Sequence, residues 1–199
     1  MKTEMSDIFG LLKVLDELKH LKRTGWMKFN IPEPETVACH MYRMAVLAML
    51  LDCDCDRAKC VRMTLVHDLG EAIIGDITPH CGISTAEKHR LEDEAMKKIT
   101  EMVPSAAGSD WYSLWQEYEA SETKEAKVVK HLDKFDMVVQ AFHYEQKYGA
   151  DLEEFFNSTK DSFTLEPFIS WVKELRMKRL LNRKEVQEHN NVSSVNSNC

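Results

Sequence analysis

The chain has 199 residues, of which 44% are hydrophobic and 30% charged, a balance typical of a soluble globular protein with a substantial core. Its formal net charge of −7 argues against binding to long nucleic acids, whose affinity depends on basic residues, but is compatible with a small phosphorylated ligand. Apolar runs fall short of the ~20 residues that a membrane helix needs, and the N-terminus lacks a signal-peptide pattern, so we expect no membrane partner and a cytoplasmic location, with the nucleus as the alternative.

Apolar residues recur with the helical period of 3.6 along most of the chain, whereas glycine and proline are scarce. The stripes are, in chain order, Ile8, Leu11, Leu15 and Leu18; Met41, Ala45, Ala48 and Met49; Ala58, Val61 and Leu65; Leu91, Ala95, Ile99 and Met102; Trp111, Leu114, Trp115 and Tyr118; Val128, Leu132, Phe135, Val139 and Phe142; and Phe168, Trp171, Val172 and Leu175. They predict an all-α protein, a single-domain helical bundle over residues 1–182. The composition of residues 183–199 predicts a disordered tail.

Three cysteines cluster in the string CDCDCDRAKC, at Cys53, Cys55 and Cys60. A zinc site usually needs paired C-x2-4-C elements or histidines at finger spacing, and both are missing here. Reduced thiols on a loop are therefore the expectation, and a zinc knuckle is the alternative.

The string LVHDLGEAIIGDITPH, residues 65–80, gathers many side chains that can bind metals. His67 and Asp68 are neighbours, and neighbouring side chains diverge by about 100° within a helix. That constraint relaxes where a helix ends, and Gly70 suits the left-handed position that follows a helix. An imidazole and a carboxylate together suit a divalent Mn, Fe, Co, Ni or Zn ion, and Mg more weakly.

Two other predicted helices carry metal-binding side chains beside their apolar stripes. His40 borders the stripe that contains Met41 and Ala45, and both Asp133 and Asp136 lie beside a later stripe. Each residue alone would suggest a hydrogen-bonded core histidine or a solvated carboxylate. Together they predict one metal site built from three helices, although periodicity leaves the choice between the two aspartates open.

The strings ETVACHMYRMAVLAMLL, LVHDLGEAIIGDITP, EKHRLEDEAM and HLDKFDMVVQAFHYE resemble the HD-domain metal-dependent phosphohydrolases, specifically their 5′-deoxynucleotidase subgroup, which includes bacterial YfbR-like enzymes. This resemblance extends over roughly residues 11–180. It implies a helical bundle around one metal, and it favours Asp133 over Asp136. The metal ligands that it implies are His40, His67, Asp68 and Asp133.

The resemblance also implies roles for the acidic residues that follow the HD pair. Glu71 would lie beside the metal and serve acid/base chemistry. Glu71, Asp76 and the carbonyl of Ile77 would hold a second, oxygen-ligated cation such as Mg²⁺. Alternatively, Asp76 caps the following turn and Glu71 complements a helix terminus.

Two substrate-binding residues are expected in the string LKRTGWMKFN. The bacterial branch of the family carries an adjacent Arg-Trp pair here, in which the arginine meets the phosphate and the tryptophan packs against the sugar. In this chain Thr24 and Gly25 separate Arg23 from Trp26. Arg23 would reach the phosphate if the loop folds back, and otherwise it is a solvated cation.

The remaining polar candidates receive simpler interpretations. Arg43 lies three residues after His40 and is expected to form a salt bridge. We expect His80, His89 and His131 at the surface, and the alternative for each is a position lining the cleft.

The resemblance implies an enzyme that hydrolyses deoxyribonucleoside 5′-monophosphates to deoxyribonucleosides and phosphate. It would use a divalent cation, Mn²⁺, Co²⁺ or Mg²⁺, and form a homodimer. Three alternatives stay open: a di-iron oxygenase that uses His80 and His89, a phosphodiesterase acting on another nucleotide, and a non-catalytic nucleotide sensor.

Overall fold

A computed structural model of the chain describes residues 7–196, and the side chains of residues 7–185. The helices are α1 Ile8–His20, α2 Thr24–Lys28, α3 Val37–Ala48, α4 Arg57–Thr64, α5 Glu71–Ile74, α6 Thr85–Thr100, α7 Ser105–Ala120, α8 Lys124–Tyr148, α9 Glu153–Ser158 and α10 Phe168–Asn196. A 3₁₀ turn covers Pro79–Cys81. Within the described residues, β pairing is limited to one isolated bridge between Lys22 and Thr36. The all-α prediction is confirmed.

The chain divides into two compact units, one ending at Asp136 and the other beginning at Met137. In the first unit α3 packs against α1 and α4, α6 packs against α5 and α7, and α1 contacts α5. In the second unit the Arg179 guanidinium binds the carboxylates of Glu145 and Glu153. Helix α10 continues to Asn196, and residues 197–199 lie outside the described part. A single domain over residues 1–182 with a disordered tail over residues 183–199 stays a prediction.

Helix starts follow from side chains that satisfy the unpaired N–H groups of a first turn. The side chains that accept such a hydrogen bond are those of Asp7, Thr36, Asp56 and Ser84. Helix α8 ends at Tyr148, and the next residue is Gly149, whose φ is 64°.

The predicted stripes are correct in some helices and rotated in others. In α7, Leu114, Trp115 and Tyr118 are buried as expected. In α4 the stripe is wrong, because Ala58 and Leu65 are exposed. That helix is short, and its contacts with α3 and α7 are made by a different face. The buried residues of this face are Cys60, Met63 and Thr64.

In α1 the prediction is partly wrong. Leu11 and Leu18 are buried, but Ile8 and Leu15 are exposed and Val14 takes their place in the core. Met49, the residue that follows the last residue of α3, is likewise exposed.

The cysteine cluster lies on the loop before α4, as expected, but two of its thiols are not reduced. Cys53 and Cys55 form a disulfide, and their Cα atoms are 5.4 Å apart, within the normal range for such a bond. The loop brings the two residues close enough for this pairing. Cys60 is a free thiol buried on α4.

The backbone at Gly108, in the first turn of α7, lies close to the last residue of α6. A β-carbon at this position would lie 2.5 Å from the Thr100 carbonyl oxygen at the end of α6, closer than van der Waals contact allows. Among the described helices, we find none with the length and apolar character needed to cross a membrane.

Candidate metal centre

His40 lies on α3 and is fully buried. Its Nδ1 lies 2.7 Å from Oδ2 of Asp136, a carboxylate that also binds the Arg43 guanidinium. The salt bridge predicted for Arg43 is therefore confirmed. Because an ionised carboxylate only accepts hydrogen bonds, Asp136 keeps the proton on Nδ1 and directs Nε2 away from itself.

His67 lies in the turns between α4 and α5 and is also buried. Its Nδ1 lies 2.9 Å from the Thr64 carbonyl oxygen, so this nitrogen donates as well and Nε2 points elsewhere. The predicted left-handed Gly70 is wrong: its φ and ψ are −58° and −29°, because the chain turns directly into α5. Within residues 65–80, the glycine with positive φ is Gly75, which ends α5.

The two Nε2 atoms face two carboxylates. Oδ1 of Asp133 lies 3.2 Å from the His40 Nε2, and Oδ2 of Asp68 lies 3.1 Å from the His67 Nε2. One potential ligand atom each from His40, His67 and Asp133 lies within 4.8 Å of the others. Asp68 is 3.9 Å from the His40 Nε2. Asp133 thus lies on the Nε2 side of His40, and Asp136 lies on the Nδ1 side.

This arrangement fits a divalent cation. Among the described residues, Nε2 of His40, Nε2 of His67 and Oε2 of Glu71 are buried atoms without a hydrogen-bond partner. Buried polar atoms are seldom left unsatisfied in proteins, so three in one cluster indicate a missing ligand. Two imidazole nitrogens beside the carboxylates of Asp68 and Asp133 form a donor set that first-row divalent metals bind.

Tyr118 on α7 belongs to this centre, although the sequence pattern assigned it only to an apolar stripe. Its hydroxyl donates to Oδ2 of Asp133 at 3.0 Å, and its ring lies edge-on to His67 at 4.8 Å. It therefore orients one carboxylate and packs against one imidazole. No spacing in the sequence links α7 to α8 or to the HD pair, so this role could not be predicted.

Glu71 is the first residue of α5 and is buried. Burial raises the pKa of its carboxyl well above the usual value, and the negative charges of Asp68 and Asp76 raise it further. The carboxyl therefore keeps its proton to higher pH than an exposed glutamate would.

Asp76 and Ile77 follow α5. Oδ2 of Asp76 accepts a hydrogen bond from the Thr24 backbone N–H at 2.7 Å, and its carbonyl accepts one from the Thr24 hydroxyl at 2.8 Å. Asp76 thus caps α2, not the turn that follows it. The side chain of Ile77 is buried.

The arginine and the tryptophan expected to bind substrate lie in different environments. Nη1 of Arg23 lies 3.3 Å from Oδ2 of Asp68, so the loop does fold back towards the metal centre. Burial lowers the pKa of Arg23, but the charges of Asp68, Asp133 and neighbouring carboxylates outweigh it and keep the guanidinium charged. Trp26 is only 2% exposed, and its Nε1 donates to Oε1 of Glu35 at 3.0 Å.

His80, His89 and His131 do not belong to the group of His40, His67 and Asp133 whose potential ligand atoms lie within 4.8 Å of one another. His80 and His89 are exposed, and His131, partly exposed, has its Nδ1 2.7 Å from the Lys127 carbonyl.

Comparisons with known proteins agree with this geometry. A family model described as "HD domain" matches residues 15–167. The chain is 43% identical over 178 residues to the human protein named 5′-deoxynucleotidase HDDC2, covering 88% of this chain and 87% of the relative. It is 44% identical over 155 residues to the Schizosaccharomyces pombe protein named 5′-deoxynucleotidase hdd1, and the match covers 74% of this chain and 78% of that relative.

Solved structures are similar as well. A protein from Pyrococcus horikoshii OT3 has a TM-score of 0.71 and 28% identity, covering 86% of this chain and 97% of its own. The HD domain-containing protein YGK1, from Saccharomyces cerevisiae, has a TM-score of 0.66 and 28% identity, and the match covers 90% of this chain and 89% of that protein. The HD-domain match, together with the group of His40, His67 and Asp133, supports binding of a divalent metal.

Metal affinity should rise with pH, because a metal and a proton compete for His40. Burial and Arg23 lower the pKa of His40, but the carboxylates of Asp133 and Asp136 outweigh them and raise it to about 9. Below that pH, binding displaces a proton, so Mn²⁺ affinity should increase ~10-fold between about pH 7 and about pH 8, with release of about one proton per ion.

Calorimetric titration with Mn²⁺ in buffers of different ionisation enthalpy measures both quantities. A His20→Gln variant, changed at an exposed histidine of α1, should show the same pH dependence. An affinity that stays constant over this interval would contradict the proposed competition.

Proposed function

This chain belongs to the HD-domain family, and we propose that it is a metal-dependent 5′-deoxynucleotidase that hydrolyses deoxyribonucleoside 5′-monophosphates to deoxyribonucleosides and phosphate. The observation that carries the proposal is the pair of buried imidazole nitrogens of His40 and His67 that have no hydrogen-bond partner. They lie beside the carboxylates of Asp133 and Asp68. Asp68 in turn lies near Arg23 and Glu71. The names of relatives that are 40–44% identical over most of the chain support this substrate class. A small nucleotide substrate also suits the cytoplasmic location that we propose.

His40, His67, Asp68 and Asp133 would hold the metal, which we propose to be Mn²⁺, Co²⁺ or Mg²⁺. A bound divalent ion lowers the pKa of a coordinated water and polarises the phosphoryl oxygens. Each of the four residues has a further contact that orients it, as the hydrogen bond from Tyr118 does for Asp133.

Arg23 is the residue best suited to bind the phosphate. Its guanidinium is charged, only partly exposed and held 3.3 Å from Asp68, and a planar guanidinium binds phosphate oxygens through two parallel hydrogen bonds. The sugar contact proposed for Trp26 has weaker support, because its ring is buried and would have to become accessible.

Glu71 is suited to donate a proton to the departing 5′-oxygen. Burial and the nearby charges of Asp68 and Asp76 raise its pKa, so its carboxyl retains a proton where an exposed one would lose it. A general acid needs this property, and after the transfer the carboxylate is able to accept a proton from the next water.

A second, oxygen-ligated cation at Glu71, Asp76 and the Ile77 carbonyl also remains a proposal. In its favour, Oε2 of Glu71 is buried without a partner, and the like charges that raise its pKa would be offset by a cation. Against it, Asp76 already accepts a hydrogen bond from Thr24.

The alternative enzyme class has no comparable support. A di-iron oxygenase would need additional histidines at the centre, and His80 and His89 lie apart from the group of His40, His67 and Asp133. The same pocket without catalysis would be a nucleotide sensor, which an activity assay distinguishes directly.

Phosphate release from a panel of ribo- and deoxyribonucleoside monophosphates, assayed with Mn²⁺, Co²⁺ and Mg²⁺, tests the proposal. We expect hydrolysis only with added metal and a preference for 2′-deoxy substrates. Absence of release from every substrate with every metal would refute the enzymatic function.

In the same assay, Glu71→Gln should lower kcat ~10²–10⁴-fold, because general acid/base catalysis contributes that much, while Mn²⁺ still binds. The matched control is Glu94→Gln, changed at an exposed glutamate of α6 that pairs with Arg90. Unchanged activity of the Glu71 variant would remove this residue from the chemistry.

We also propose that the protein forms a homodimer through α1 and α3. These two helices pack together, and each presents exposed apolar side chains. The exposed residues are Ile8, Phe9, Leu12 and Leu15 on α1, Tyr42 and Val46 on α3, and Met49 and Leu50 just after it. Exposed apolar patches of this kind usually mark an interface.

The double variant Phe9→Asp, Leu12→Asp should therefore be monomeric in light scattering coupled to size-exclusion chromatography, whereas the parent protein should be a dimer. These residues are 76% and 51% exposed, so charges there do not disturb the core. Leu180→Asp, at a leucine that is 62% exposed on α10, is the control and should remain dimeric. A double variant that still dimerises would locate the interface elsewhere.

A further inference from the structure

A cavity of about 710 Å³ lies between the beginning of α6 and the end of α7, where none of the roles assigned so far places a ligand. Its walls combine one buried aromatic ring with charged side chains of both signs. The residues that matter for its chemistry are Lys88, His89, Glu92, Trp115, Glu119 and Lys130.

One wall of this cavity offers a flat aromatic surface. The His89 ring lies nearly parallel to the Trp115 ring, with the centroids 5.4 Å apart and the planes inclined by 16°. Trp115 is buried, whereas the His89 side chain is 54% exposed, so the outer ring of the pair is accessible. Such a surface suits stacking by a planar ligand, and every nucleobase has a planar face.

The other walls offer donors and acceptors side by side. The Glu119 carboxylate lies 3.4 Å from Nδ1 of His89 and 3.3 Å from Nζ of Lys130. Next to this group, Nζ of Lys88 lies 3.3 Å from Oε1 of Glu92, and one carboxylate oxygen of Glu92 is within 4.8 Å of the His89 ring and the Glu119 carboxylate. A base edge presents both amino and carbonyl groups, so it finds partners here. An isolated phosphate does not fit as well, because the carboxylates offset the lysines.

Two contacts connect residues that line this cavity to the segments of the metal centre. Nζ of Lys130 lies 3.5 Å from the centroid of the Tyr118 ring, whose hydroxyl donates to Asp133. On the α6 side, Gly70 in the HD segment would place a β-carbon 3.5 Å from the Glu92 carbonyl oxygen. Both walls of the cavity thus touch the segments that supply the presumed metal ligands.

The charges of the two sites also influence each other. Burial lowers the pKa of Lys88, but the carboxylates of Glu92, Glu71 and Asp68 outweigh it and raise the pKa overall. Two of these three carboxylates belong to the metal centre, which agrees with the short distances above.

We propose that this cavity binds the nucleoside part of the substrate, with the base stacked on His89 and its polar edge facing Glu119 and Lys130. The proposal rests on the proposed function and assigns the base a position that the metal ligands and Arg23 do not provide. The phosphate would then lie at the metal centre and the base between α6 and α7.

Steady-state kinetics of His89→Ala and Glu119→Gln with a deoxyribonucleoside monophosphate test this assignment. Removing the stacking ring should raise KM roughly 10-fold, because base–aromatic stacking is worth about that much, while kcat changes less than KM. The Mn²⁺ affinity measured by calorimetry should equal that of the parent, since neither residue is a presumed ligand. An unchanged Mn²⁺ affinity distinguishes the loss of a substrate subsite from a disturbed metal centre.

The matched control is a second cavity between the same two helices. A cavity of about 550 Å³ lies at their opposite ends, lined by residues that include Thr100, Glu101 and Tyr112. Glu101→Gln changes a carboxylate of this second cavity and should leave KM unchanged. An equal rise of KM in Glu101→Gln, or an unchanged KM in both cavity variants, would overturn the proposal.

Binding of a deoxyribonucleoside without phosphate, measured by calorimetry, distinguishes the failure of this assignment from the failure of the proposed function. If the parent binds the nucleoside and His89→Ala does not, the subsite stands even if no monophosphate is hydrolysed. If the parent hydrolyses monophosphates but nucleoside binding and KM are insensitive to His89, the subsite is refuted and the function stands. Absence of both nucleoside binding and hydrolysis refutes both.

Discussion

The orientation of two buried imidazoles is the constraint on which the centre depends. Asp136 and the Thr64 carbonyl both accept hydrogen bonds from Nδ1 atoms, so the Nε2 atoms of His40 and His67 point inward, where the protein offers them no partner. A buried polar atom without a partner costs free energy. A cation bound there removes this cost, so metal binding and the stability of the folded state are linked.

The residues around the metal centre also carry an excess of negative charge. Carboxylates outnumber cationic side chains around the centre. This excess attracts a divalent ion, and it adds to burial, the larger cause, in raising the pKa of Glu71. Arg23 is the cation that the excess retains there, although burial alone would disfavour its charge. The group that would bind phosphate is thus kept in position by the groups that would bind metal.

The helices and the residues of the HD pair could be predicted from the sequence, because each follows from a local pattern: a 3.6-residue period, a capping side chain, or a motif. The side chains of other helices that orient these ligands could not. Tyr118 looked like a core residue of its own helix, and Asp136 looked like an alternative to Asp133 until their opposite sides of His40 were known. The prediction of a left-handed conformation at Gly70 was wrong for a related reason, because the chain continues directly into α5 at this residue.

Gly108 carries no reactive group, yet its position restricts the choice of amino acid as strictly as catalysis would. Any side chain there would meet the backbone of Thr100 and push α6 away from α7. A cavity lies at each end of this helix pair, so such a displacement would alter the walls of both. The shape of a recognition surface can therefore depend on a residue that never contacts a ligand, because glycine has only a hydrogen atom where other amino acids have a β-carbon.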